Sequence, residues 1–456
     1  MKEFTEDDIE RINSVIGRGD KEAARAEIAD LHPADVAELI QQLDEEQAMF
    51  IFDLLDEDTA ADVLMELDED ERKKLIDDMP AEEIAKQIDH LDTDDAVDLI
   101  QQLDEEDRDE VLSHIDDVEQ AGDIIDLLKY DEDTAGGLMG TEMIVVNENW
   151  SMPECIKQMR LQAEDMDEIY YVYVVDNDYK LRGTLPLKMM LTHPSVSKIK
   201  HVMETDPVSV KADMPIDEVA LDFEKYDLVA MPVVDSIGRL LGRITVDDVM
   251  DQVREASERD FQLASGISSD VDVDDSVFAQ TKARIPWLLI GIASGLLATV
   301  ILSSFEAQLQ AVTALALFIP IIAGTGGNVG VQASAIVVQG LANGSLDIKH
   351  FGAQLGKEMV IGLLNATVIT AVVLVYNLIM LPGDMAVTIS VAVSLFIVVM
   401  FGSLLGTLVP LTLEKLHINP ALATGPFIQI SNDIIGLIIY VQIATFFLRH
   451  LSGISI

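Results

Sequence analysis

The 456-residue chain has one cysteine, two tryptophans, and only 30 lysines and arginines against 81 aspartates and glutamates. Each scarcity excludes something. A lone Cys155 cannot form an internal disulfide or a thiolate metal cluster, and a cytoplasmic setting keeps it reduced. The net charge of −51 repels nucleic acid and anionic lipid, so the natural counterpart of this surface is a cation. The opening residues, MKEFTEDDIE, are acidic and polar, unlike a secretory signal. No Ser/His/Asp or metal-hydrolase spacing accompanies the apolar segments, which argues against an enzyme.

What is present is segregated. Residues 1–140 hold 47 acids and 11 bases, residues 141–280 hold 28 and 13, and residues 281–456 hold 6 and 6. The length allows about three domains at about 150 residues each, and the charge divides the chain in the same way.

The octet LIQQLDEE occurs at Leu39–Glu46 and again at Leu99–Glu106, and it belongs to a finer period. Leu31, Leu43, Leu55, Leu67, Met79, Leu91, Leu103 and Ile115 are spaced twelve apart. Acidic clusters such as DEE, DED and DTDD follow most of them, and apolar helical patterns follow the clusters. An Asp at a helix start accepts backbone N–H bonds, and acids behind it suit the positive helix end. Each period therefore predicts one short helix, and the series predicts an all-α superhelical stack. Capping needs one acid per helix, but commonly three are present. The surplus carboxylates repel unless counter-cations screen them, and hard divalent ions with oxygen ligands do so best.

From about Gly140 the pattern changes. YVYVVDNDYKLRGTLPLKMM (Tyr171–Met190) and AMPVVDSIGRLLGRITVDDVM (Ala230–Met250) align at an offset of 59, pairing Val175 with Val234, Asp176 with Asp235 and Gly183 with Gly242. Strand, turn, strand and helix in two copies resembles a tandem pair of cystathionine-β-synthase-type domains. That resemblance implies a cleft for an adenine nucleotide such as ATP, with a Thr and an Asp three residues on. The second copy has Thr245 and Asp248, whereas the first has Thr184 followed by Leu-Pro-Leu. The helix that follows carries Asp248, Asp251, Glu255 and Glu258 on one face. With Asp217 and Asp227 of the second copy and Asp94, Asp95 and Asp98 of the repeat, these are the candidate regulatory metal ligands.

Beyond Arg284 come five apolar runs, at about 285–304, 311–341, 359–381, 386–411 and 420–448, each long enough to span a bilayer. Lys282, Arg284, Lys349, Lys357 and Lys415 fall on one side of the alternating crossings, and Arg449 on the other. The positive-inside rule then places the N-terminus in the cytoplasm and the C-terminus outside the cell membrane. The second run contains FIPIIAGTGGNVGVQAS (Phe318–Ser334), and the fifth contains NPALATGPFIQISNDIIGL (Asn419–Leu437). Their prolines and glycines predict helix breaks that free carbonyls toward protein or water. Asp433 stands in an otherwise uncharged helix, where an acid costs at least about 2.5–3.5 kcal/mol, so it must face a partner or a wet path. Oxygen chemistry from Asp433, Asn432, Gln429, Asn328, Thr325 and the carbonyl of Gly324 suits Mg²⁺, Ca²⁺ or Mn²⁺ better than Zn²⁺ or Cu²⁺. One carboxylate per chain is a thin site, which predicts that two chains share one pore.

The order of parts is a repeat domain (1–138), a tandem α/β pair (139–202 and 203–262), a connecting helix (263–284) and five membrane helices (285–456). With GTGGNVGVQ (Gly324–Gln332) and SND-x-x-G (Ser431–Gly436), this order resembles the MgtE family of magnesium channels over essentially the whole chain. The resemblance implies a homodimer in membrane lipid, with the pore on its two-fold axis and lined by the second and fifth spans. It implies that transported Mg²⁺ passes Asp433, and that regulatory Mg²⁺ between the acidic domains closes the pore. Two positions depart from the pattern: Val331 where many relatives have Asn, and Gln429 where they have a small residue. The alternatives left open are a carrier of Co²⁺, Mn²⁺ or Ca²⁺, and a nucleotide-sensing receptor that conducts nothing.

Overall fold

The computed structural model describes residues 6–77, 79–163, 166, 169–194, 197–269, 271, 273, 275–346, 351–380 and 385–451. The chain forms two compact units, Met1–Gln252 and Val253–Ile456.

The twelve-residue period becomes one helix per period. The helices are α1 (Glu6–Ile16), α2 (Lys21–Ile28), α3 (Pro33–Gln41), α4 (Glu45–Phe52), α5 (Glu57–Glu66), α6 (Glu69–Asp77), α7 (Ala81–Ile88), α8 (Thr93–Gln101), α9 (Glu105–Leu112) and α10 (Val118–Leu127). The recurring apolar residue ends each unit. Leu31, Leu43, Leu55, Met79, Leu91 and Leu103 each donate their N–H to the carbonyl three residues back, closing the last turn. The side chains of Leu67, Met79, Leu91, Leu103 and Ile115 are buried as plugs. The next residue starts the following helix: Asp44 forms a capping box with Gln47, and Asp56 accepts the Thr59 N–H. Asp92 and Asp104 occupy the same position but make no such bond. Alternate helices pack together, α3 on α5, α5 on α7 and α7 on α9 in one layer, α4 on α6 and α8 on α10 in the other. Leu39, Ile40, Val63, Leu64, Leu99 and Ile100 fill the space between.

The tandem module begins with β1 (Ile144–Asn147), α11 (Met152–Gln162), β2 (Val172–Val175), β3 (Leu181–Leu185), α12 (Leu187–Thr192) and β4 (Glu204–Thr205), whose strands form one sheet in that order. The second copy has β5 (Val210–Lys211), α13 (Ile216–Tyr226), β6 (Ala230–Val234) and β7 (Leu240–Thr245), again in chain order. Both copies pair their first two strands in parallel, continue antiparallel, and shift register at the aligned Val174/Val175 and Val233/Val234. The duplicated glycines have one cause. A Cβ on Gly183 would lie 2.4 Å from the Glu204 carbonyl, and a Cβ on Gly242 would lie 2.5 Å from that of Gly140. Each copy brings a foreign backbone against its last long strand, and only glycine leaves room.

The connecting helix expected over 263–284 is placed differently. Helix α14 (Val246–Ser265) runs straight on from β7, Gly266 at φ +82 ends it, and the next helix starts at Val277. The polar, acidic stretch between them offers no apolar face to pack, and its described residues form turns and bends.

The second unit continues with α15 (Val277–Ser303), α16 (Glu306–Ala311), α17 (Ile319–Ala342), α18 (Phe351–Met380), α19 (Met385–Lys415) and α20 (Gly425–Leu451). Among the described residues, five helices are long and apolar enough to cross a membrane: α15, α17 with its preceding 3₁₀ turn, α18, α19 and α20. Helix α19 is the central post, with α17, α18 and α20 packed on it. The expected break in the second span is overturned, because α17 is continuous from Ile319 to Ala342. Pro320 lies in its first turn, where no intrahelical N–H bond is needed. Its glycines serve close packing instead: a Cβ on Gly406 of α19 would lie 2.2 Å from the Gly330 carbonyl, and one on Gly402 would lie 2.6 Å from that of Gly326. In the fifth span, a 3₁₀ turn at Pro420–Ala423 precedes α20, so Gly425 and Pro426 begin the helix rather than interrupt it.

Candidate cation sites

In the first unit the acids converge where a capping residue does not cap. Asp92, Asp94 and Glu142 bring carboxylate oxygens within 4.8 Å of one another. Thr93 positions Glu142: its N–H donates to Oε1 at 3.0 Å and its hydroxyl to Oε2 at 3.2 Å. Gly140 exchanges two backbone hydrogen bonds of 2.9 Å with Arg243 of β7, which carries this segment to the second copy. The Arg243 guanidinium donates to the Glu142 carbonyl and reaches Asp92 at 3.4 Å. Asp95 and Asp248 complete the electrostatic group. Burial, then Asp248, Asp95, Glu142 and Asp92, push the Asp94 carboxyl well above the usual range. Burial, Asp248 and Asp98 push Asp95 up to about 7. Burial and Asp92 raise Glu142. Burial also raises Asp248, although hydrogen bonds from Thr245 oppose the shift. The raised carboxyls of Asp94, Asp95, Glu142 and Asp248, with Asp92 beside them, form an all-oxygen set suited to a hard divalent cation.

Not every candidate joins this group. Asp217 and Asp227 stand at opposite ends of α13, both exposed, and the left-handed backbone of Asp227 (φ +51) caps that helix. Asp98 is exposed but acts on Asp95 through its charge. Asp251, Glu255 and Glu258 lie exposed on α14. Asp92, Glu142 and Arg243 were not among the candidates read from the sequence. Asp92 was legible only as a cap, and Glu142 and Arg243 come from segments about 50 and 150 residues further on. The Thr245–Asp248 pair is formed, with the Thr245 hydroxyl and N–H both donating to Asp248 Oδ2.

In the second unit the membrane candidates divide. Gln429 and Asp433 are partly exposed on α20, with the Gln429 amide donating to Asp433 Oδ1 at 3.3 Å. The Gln429 side chain lies on Gly327, where a Cβ would come within 2.4 Å of it. Asn328 is exposed on α17, Thr325 is partly buried, and Gly324 borders open space. Asn432 points elsewhere. It is fully buried against Gly330 and Gly402, and neither amide atom meets a hydrogen-bond partner among the described residues. Glu358 of α18, one residue before the expected third span, is also buried and accepts a hydrogen bond from Ser403. As a charged residue directly before the apolar run that begins at Met359, Glu358 reads in the sequence as a span boundary.

The sequence matches the MgtE divalent cation transporter family over residues 319–443, the MgtE intracellular N domain over 31–133, and the CBS domain over 135–194 and 199–255. It is 36% identical over 330 residues to the magnesium transporter MgtE of Thermus thermophilus, covering 71% of this chain and 72% of that one. The chain belongs to the MgtE family. The Bacillus subtilis magnesium transporter MgtE is 31% identical over 325 residues, with 71% and 72% covered. Among solved structures, the cytosolic domain of the Mg²⁺ channel MgtE in complex with ATP is 31% identical with a TM-score of 0.51, covering 54% of this chain and 99% of that one. As an MgtE-family protein with five apolar membrane-length helices, the chain is a multi-pass membrane protein.

Proposed function

We propose that this chain transports Mg²⁺ into the cytoplasm as a homodimeric channel, and that cytoplasmic Mg²⁺ bound by the acids of the first unit closes it. The observation that carries the reading is the partly exposed Asp433 carboxyl on an apolar membrane helix, with the neutral Gln429 amide as its partner. The relatives named as magnesium transporters support the choice of ion. Mg²⁺ gives up its water reluctantly, so Asp433, Gln429 and Asn328 would meet a hydrated ion by hydrogen bonds to its waters. A second copy related by a two-fold axis would supply a second carboxylate. The positive-inside distribution of Lys282, Arg284, Lys357 and Lys415 supports a cytoplasmic N-terminus, and the relative's matching half is named a cytosolic domain.

Regulation follows from charge. Asp92, Asp94 and Glu142 would hold the regulatory ion, with Asp95 and Asp248 adding field. A state that gathers these acids is favoured by whatever ion binds it better than the dispersed state. Arg243 offsets part of the repulsion when the ion is absent. The Thr245–Asp248 pair and the ATP complex of the relative support a nucleotide at the second copy as well.

The test is ion uptake into liposomes carrying the purified chain, with Mg²⁺ compared against Ca²⁺ and Mn²⁺. Asp433→Asn is expected to lower Mg²⁺ flux by about 100-fold, the scale of about 3 kcal/mol for an intramembrane carboxylate. Wild-type flux in that variant would remove Asp433 from the path.

A further inference from the structure

The buried acid Glu358 has no place in the mechanism so far. It is 7% exposed, and Ser403 Oγ of α19 donates to its Oε1 at 2.5 Å. Lys357 beside it is exposed, and α19 has no charged residue between Met385 and Glu414. Helix α18 comes close at this level, because a Cβ on Gly362 would lie 2.9 Å from Ser403 Oγ. A buried ionisable side chain at the start of a membrane span, met among the described residues by a single hydroxyl, is an expensive way to join two helices, unless the join serves a purpose.

Its purpose lies one residue away. Gly402, the neighbour of Ser403, faces the opposite partners: a Cβ there would lie 2.6 Å from the Gly326 carbonyl of α17 and 3.6 Å from Asn432 Oδ1 of α20. Asn432 has no hydrogen bond of its own among the described residues, so packing holds it, with Gly330 and Gly402 against it. The next residue is Asp433. Rotation of α19 would drive a side chain into the space that Gly402 leaves free and would shift Asn432.

We propose that Glu358 is a positioning residue for the Asp433 site: through Ser403 it fixes the rotation of α19, and the Gly402 face of α19 then seats Asn432 and aims Asp433. This inference rests on Asp433 being the transport carboxylate. Interhelical hydrogen bonds in apolar surroundings have no competing water, so the loss of one releases the rotation of a tightly packed helix. The acceptor oxygen does the work in this arrangement, and the negative charge does not.

The test uses the full chain in liposomes and reads half-saturating Mg²⁺, maximal rate and discrimination of Mg²⁺ over Ca²⁺ separately. Glu358→Ala and Ser403→Ala are each expected to raise half-saturating Mg²⁺ by about fivefold, the scale of one interhelical hydrogen bond, and to lower discrimination. The double variant is expected to be no worse than either single one, because both remove the same bond. Glu358→Gln keeps an acceptor for Ser403 and is expected to recover wild-type half-saturation. Wild-type half-saturation and discrimination in both alanine variants would overturn the proposal. So would additive effects in the double variant, or a Gln variant as impaired as the Ala variant. If Glu358→Ala does not fold, the Ser403→Ala and Glu358→Gln arms decide. An inactive Asp433→Asn chain beside wild-type behaviour in the Ser403 and Glu358 variants would sink this inference alone. An active Asp433→Asn chain would sink the reading beneath it.

Discussion

The two units treat the same functional group in opposite ways. The first gathers four carboxyls around that of Asp94, with Arg243 as a partial counter-charge. The membrane helices of the second keep two acids apart, Asp433 with a Gln amide and Glu358 with a Ser hydroxyl. Repulsion in the first unit is a reservoir that a cation would discharge on binding there, as proposed above. In the membrane helices, Asp433 and Glu358 are each matched to one neutral group. Collecting charge and presenting charge are different tasks, and the hydrogen-bond partners record which task each region performs.

The sharpest way to break this contrast is to build an acidic pair in the membrane unit. Asn432→Asp places a second carboxyl beside Asp433 in a fully buried seat. It is expected to cost more than about 3 kcal/mol and to show as loss of monodisperse protein on size exclusion. The opposite manipulation relaxes the first unit. Asp95 titrates near 3.8 when unfolded and at about 7 in the fold. The folded chain therefore holds the extra proton between those values, and metal-free stability falls as pH rises from about 4 to about 7. Asp94→Asn with Asp95→Asn is expected to flatten that decline, to raise the metal-free melting temperature at pH 8 by about 2–4 °C for each kcal/mol relieved, and to abolish further stabilisation by Mg²⁺. Calorimetry across pH with and without Mg²⁺ reads all three. The smallest effect compares two acids at equivalent helix starts. Asp56 caps its helix, so Asp56→Ala should cost about 1 kcal/mol and leave the Mg²⁺ response intact. Asp92 does not cap, so Asp92→Ala should weaken the Mg²⁺ response with little loss of metal-free stability. Equal behaviour of the two would mean that Asp92 is only a helix start.

Features with a short sequence period were legible. The twelve-residue spacing became helices with plugs, capped at Asp44 and Asp56 though not at Asp92 or Asp104, the offset of 59 became two like sheets, and five apolar runs became five long helices. Features assembled across the sequence were not. Asp92 meets Glu142 and Arg243 only because the Gly140 backbone pairs with β7. The glycines of α17 looked like breaks because composition cannot tell a freed carbonyl from a close helix contact, and the 2.2 Å clearance at Gly406 belongs to a partner about 75 residues away. Asn432 and Asp433 looked equivalent as adjacent polar residues. The 100° turn between neighbours on a helix sends one into the packing and the other to the open face.

The alternation of the repeat helices between two layers has a consequence for how such a chain can change length. Each twelve-residue unit carries its own start and stop, so losing one would leave intact helices on both sides of the cut. Every helix downstream would nevertheless change sides, and Asp92 would turn away from the Arg243 it now meets. Viable insertions and deletions upstream of Asp92 should therefore come in twenty-fours.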